Sequence, residues 1–112
     1  MIAANRTRRA TLKARATQTR AQARINRHGA ATLTTHCIAA GLTPTEARSV
    51  AGSLRKNAAK AGVTGQTGTS FRKGRARACT RYTRAEVAAI AVIYRPRKMT
   101  YKQAAARLAL TA

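Results

Sequence analysis

Glu46 and Glu86 are the only acidic side chains in the sequence, which has no Asp. Each follows a threonine by three residues, in Thr43-Pro44-Thr45-Glu46 and Thr83-Arg84-Ala85-Glu86. That spacing is a capping box: the threonine oxygen accepts the N3 amide, and the carboxylate reaches back to the N-cap amide. Helix starts therefore account for both acids, and none is left for general acid–base work. Paired-carboxylate glycosidases, two-metal nucleases and EF-hands all need acids this chain lacks. His28, His36, Cys37 and Cys79 show none of the usual zinc spacings, and no nucleophile has a base beside it. No catalytic residue, metal ligand or cofactor is expected, and the chain reads as a non-enzyme.

The cations remain. Among 112 residues, 23 Lys and Arg face two acids, for a formal charge of +21. A chain this small and this basic is drawn to polyanions. Nucleic acid is the expected partner, DNA before RNA, with a transcription or ribosomal complex as the alternative. No membrane partner is expected: the longest apolar run, Val87 to Tyr94, spans eight residues, against ~20 for a bilayer-crossing helix. No signal peptide opens the chain, although residues 1–28 are basic and acid-free like a transit peptide. The expected location is cytoplasmic and nucleoid-associated. Nothing in the sequence sets the oligomeric state.

The cations fall into three sets. A basic arm, residues 1–28, carries Arg6, Arg8, Arg9, Lys13, Arg15, Arg20, Arg24 and Arg27. On a helix Arg6, Lys13, Arg20 and Arg27, with Arg9 and Arg24, share one stripe. Alanines favour helix there, while like charges at Arg9/Lys13 and Arg20/Arg24 oppose it. The arm is therefore expected to be frayed until phosphates neutralise the stripe. The second set is Arg48, Arg55 and Lys56, joined by Thr45 and Ser49, on the outer face of a helix from Pro44 to about Ala61. Ala47, Val50, Ala51, Leu54 and Ala58 form its inner face. The third set is Arg72, Lys73, Arg75, Arg77 and Arg81, in a Gly-rich stretch over 62–81 that reads as a loop suited to phosphates.

The apolar residues bound the fold. There are 27 Ala and 16 Thr, but Leu, Ile, Val and Phe total only 16 of 112, below the roughly 20% at which highly charged chains risk disorder. The expected class is all-α: a small bundle of about four helices with a basic, partly disordered N-terminal arm. Residues 30–112 form its helical domain: a helical pair over 31–61, the loop over 62–81, and a second pair over 82–112. In the second pair, Val87 to Tyr94 is apolar all round and is expected at the bundle centre. Thr100-Tyr101-Lys102-Gln103 reads as a third capping box. Thr43/Thr83, Glu46/Glu86, Val50/Ile90, Ala51/Ala91 and Leu54/Tyr94 form a faint repeat with an offset of 40, consistent with two similar helices packed together.

Leu33 to Ala59 resembles a helix-turn-helix. Cys37 stands at the small position of the first helix, Gly41 at the turn, and Leu42, Ala47 and Val50 at the apolar positions that follow. The resemblance implies that the helix from Pro44 lies in the major groove. Thr45, Arg48, Ser49, Gly52, Arg55 and Lys56 would then face outward. Arg48 would suit bidentate contact with guanine, Ser49 a base edge or phosphate, and Arg55 and Lys56 phosphates. Tyr82 to Ala112 is similar to the start of a second such motif, through Met99-Thr100-Tyr101-Lys102-Gln103-Ala104-Ala105-Ala106-Arg107-Leu108. Its recognition helix would lie beyond Ala112, so core or partner contacts are expected of it instead. Asn5-Arg6-Thr7-Arg8-Arg9-Ala10 and Lys13-Ala14-Arg15 resemble the arginine-rich helices of phage antiterminators, which implies RNA hairpins as targets. The expected function is that of a small DNA-binding regulator or accessory factor of a phage or mobile element. The alternatives are an RNA-binding or transcription-complex protein acting through the arm, and a nucleoid compactor without sequence preference.

Overall fold

A computed structural model describes residues 2–110, apart from the side chains of Ile2 and Arg72. Its elements run α1 (Ile2–His28), α2 (Leu33–Ala39), α3 (Pro44–Ala61), β1 (Gln66–Arg72), β2 (Arg75–Arg81), α4 (Arg84–Ile93) and α5 (Met99–Leu110). Both capping boxes form. The Glu46 amide donates to Thr43 Oγ1 at 3.3 Å, and the Glu86 amide to Thr83 Oγ1 at 3.2 Å. Gly62 closes α3 at a φ of 71°, in the left-handed region. The core joins α2, α3, α4 and α5: Leu33, Cys37, Val50, Leu54, Val87 and Ile90 are its largest fully buried side chains. Burial pushes the Cys37 thiol up to about 12, which leaves it an inert apolar side chain.

The all-α expectation is overturned. Residues 66–81, expected as a loop, form an antiparallel hairpin in which Gln66 pairs with Arg81 and Arg72 with Arg75. Its turn is Lys73-Gly74, with φ of 53° and 74°. Two positive values at the central residues suit a two-residue turn whose twist matches the strands. Thr67, Thr69 and Phe71 alternate with Gln66, Gly68 and Ser70, the period of a strand. The glycines and arginines of this stretch masked that period.

The frayed arm is corrected too. Residues 2–28 form one continuous helix, ~40 Å long at 1.5 Å per residue. Its C-terminal half docks by burying Ala21 and Ile25. Gln18 and Gln22 each donate from Nε2 to Ala39 O, at 3.1 and 3.2 Å. Those amides satisfy a carbonyl left open at the end of α2. Arg107 of α5 donates to the next carbonyl, Ala40 O, at 2.8 Å. Gly41 permits both the turn and this approach: its φ is 103°, and a Cβ there would stand 2.8 Å from Arg107 Nη1. The charge stripe of α1 lies on its exposed side, where water screens the repulsion.

Two details of the C-terminal pair also differ from expectation. The Lys102 amide donates to Lys98 O at 2.9 Å, so α5 opens before Thr100 and the third capping box does not form. Lys98 Nζ instead lies 5.2 Å from the Tyr101 ring centre, a cation–π distance. Nor is α4 central: Val87, Ala88, Ile90 and Ala91 are buried, but Val92 is 58% exposed.

The base of the hairpin is tied to the body through Ala31 and Tyr82. Ala31 and Tyr82 bridge antiparallel, with Ala31 N–H donating to Tyr82 O at 3.0 Å and Tyr82 N–H to Ala31 O at 2.8 Å. His36 Nε2 lies 2.7 Å from Tyr82 O. A carbonyl can only accept, so this nitrogen carries the proton. Burial holds the His36 pKa below its ordinary 6.5, and nearby Arg84 lowers it further against the hydrogen bonds to backbone carbonyls that raise it. The unfolded chain thus binds a proton at His36 more readily than the folded one. Stability should be full above about pH 6.5 and should fall as pH drops below it. Thermal melts between pH 7.5 and 5.5 test this: Tm should decline toward acid, and His36→Gln should flatten the decline.

Candidate nucleic-acid interface

The hairpin presents two unlike faces, because paired residues in an antiparallel ladder share a side. Gln66/Arg81, Gly68/Cys79 and Ser70/Arg77 share one with Arg75, and Thr67/Thr80, Thr69/Ala78 and Phe71/Ala76 the other. The first is basic. From the second, Thr67, Ala78 and Thr80 line a hollow of about 400 Å³ with Leu33 and Arg55.

Beside that hollow opens a cleft of about 1150 Å³ between the hairpin, α1, α2 and α3. Arg24 and His28 reach it from α1, Arg48 and Arg55 from α3, and Arg81 and Phe71 from the hairpin. The start of α2 adds Thr32, Thr34 and Thr35, and no acidic side chain lines the cleft. Arg48 and Arg55 are seven residues apart, two turns along one side of α3, so they stand in line. Arg81 is held across the hairpin, where its Nη2 donates to Thr69 O at 3.1 Å. Glycine at position 68 makes room for that guanidinium, since a Cβ there would collide with Arg81 Nη1.

Each set of cations expected from the sequence thus contributes to one site, but only in part. Of the arm, Arg24 lines the cleft. Arg6, Arg9, Lys13, Arg20 and Arg27 follow the outer stripe, while Arg8 and Arg15 are exposed on another side of α1. On α3, Thr45, Ser49 and Lys56 are exposed on the strip next to Arg48 and Arg55, outside the cleft. Of the hairpin set, Arg81 lines the cleft, Arg75 and Arg77 share the basic face, and Lys73 is exposed in the turn. The Arg72 side chain lies outside the described residues.

Sequence reasoning did not name His28 or the α2 threonines as part of the site. Their only signal was position: they flank Gly29 and the break between α1 and α2, which the fold brings to the cleft mouth. Among the described residues, no group of three His, Cys, Asp or Glu is placed to hold a metal ion. No described helix is long and apolar enough to cross a membrane. Comparison with known proteins returned no matching family model, no matching curated protein and no matching solved structure.

Proposed function

We propose that this protein binds nucleic acid, DNA before RNA, as a small regulator or accessory factor of a phage or mobile element. The observation that carries the reading is the convergence of Arg24, Arg48, Arg55 and Arg81, from three separate elements, on one cleft lined by no acid. Cations so gathered release counterions from a phosphate backbone. The helix-turn-helix resemblance assigns base reading to the exposed strip of α3. Thr45 and Ser49 are short enough to approach base edges there, with Arg48 beside them for guanine and Lys56 for a phosphate. The stripe on α1 extends the positive track beyond the cleft. Its place of action is the cytoplasm, on the nucleoid.

A selection tests the reading. The full chain is offered random duplex DNA and structured RNA at ~150 mM salt, where weak non-specific binding is suppressed. An enriched duplex motif supports it. An enriched RNA hairpin would replace DNA as the partner, and tight binding without a motif would favour a compactor. Retention of neither nucleic acid would contradict the proposal.

A further inference from the structure

Phe71 is the only Phe in the chain and is 78% exposed. The tyrosines are far less open: Tyr82 and Tyr94 are buried, and Tyr101 is half-buried. Exposed apolar side chains are ordinary when scattered over helices, but Phe71 stands in a concave, cation-lined cleft. Its cross-strand partner is Ala76, and the diagonal neighbours on that strand's side are Gly74 and Ala78. A large side chain at any of the three would cover the ring. None is large, so the ring stays free.

An open aromatic ring beside guanidinium groups can stack a nucleobase while the cations hold its phosphates. A base can stack on such a ring only where it is unpaired and out of the helical stack, so the open face of Phe71 suits a single strand.

We infer that the cleft takes a short unpaired stretch of the bound nucleic acid, with one base stacked on Phe71 and its phosphates held by Arg24, Arg55 and Arg81. Duplex lies against α3 and the α1 stripe, and the hairpin holds the strand that leaves it. The preferred ligand is therefore a duplex with a gap or junction. This rests on the nucleic-acid reading above and adds the form of the ligand.

Two labelled DNA probes test it by fluorescence anisotropy with the full chain: a closed duplex, and the same duplex with a gap of about four nucleotides, near the lower end of single-strand site sizes. The gapped probe should bind at least about tenfold more tightly than the closed one. Phe71→Ala should lose about 5- to 150-fold on the gapped probe, the usual worth of one base stack, and little on the closed one. Phe71→Trp should restore the preference, and 2-aminopurine in the gap should be quenched by the original protein but not by Phe71→Ala. Equal binding of both probes overturns this inference alone, as does an equal loss on both with Phe71→Ala. Binding to neither probe overturns the DNA reading with it.

Discussion

Raising monovalent salt from about 50 to 200 mM is expected to weaken nucleic-acid binding by roughly 10³–10⁵. The size of that loss follows from the number of phosphates the surface can neutralise. Arg24, Arg48, Arg55 and Arg81 line the cleft, and Arg6, Arg9, Lys13, Arg20 and Arg27 follow it along α1. Roughly six to ten simultaneous contacts on B-DNA give a log–log salt slope of about −5 to −9. Because α1 is a continuous helix, its cations are already aligned and little ordering opposes their binding. Titrations at several salt concentrations give the slope directly. A slope shallower than about −2 would mean that only a couple of phosphates are engaged, too few for a track running from α1 into the cleft.

Leu54→Ala is expected to cost about 2–5 kcal/mol, toward the upper end of that range. Leu54 is fully buried in α3, and the cluster around it includes Ala47, Ala51, Ala58 and Ala91. Alanines have no rotamers with which to fill a cavity, so the space left by the isobutyl group stays open. The loss would take a large share of the total stability of a domain, which is typically about 5–15 kcal/mol. Urea denaturation should show a lower midpoint with an unchanged slope. A loss under about 1 kcal/mol would mean that the core relaxes around the site.

How much could be read beforehand depended on whether the signal was local. Thr43, Pro44, Glu46 and Gly62 mark the ends of α3 through neighbours in sequence, and Thr83 and Glu86 do the same for α4. The inner face of α3 followed from its period: Ala47, Val50, Ala51, Leu54 and Ala58 are all buried. The hairpin was missed because its turn is Lys-Gly rather than Asn-Gly, and because its exposed faces give no alternation of buried and solvated residues. The docking of α1 was missed for another reason. Gln18 and Gln22 bond to Ala39 across 21 and 17 residues, and no local rule anticipates an amide that caps a distant helix. The cation sets were legible as composition. Their division into Arg24, Arg48, Arg55 and Arg81 around one cleft, with Arg75 and Arg77 farther along the hairpin and outside it, depends on strand register and tertiary packing.

If a placed cleft, rather than total charge, binds nucleic acid, two variants of equal charge should behave differently. One changes Arg24, Arg48, Arg55 and Arg81 to Gln; the other changes Arg95, Arg97, Lys98 and Lys102, which are exposed around the C-terminal pair. Each removes four of the +21 charges. Each phosphate that is no longer neutralised should make the log–log salt slope shallower by about one. The expected result is a slope reduced by about four in the cleft variant, with most affinity gone, and a nearly unchanged slope and affinity in the other. Equal weakening of the two variants would contradict a placed cleft, because binding would then follow net charge alone.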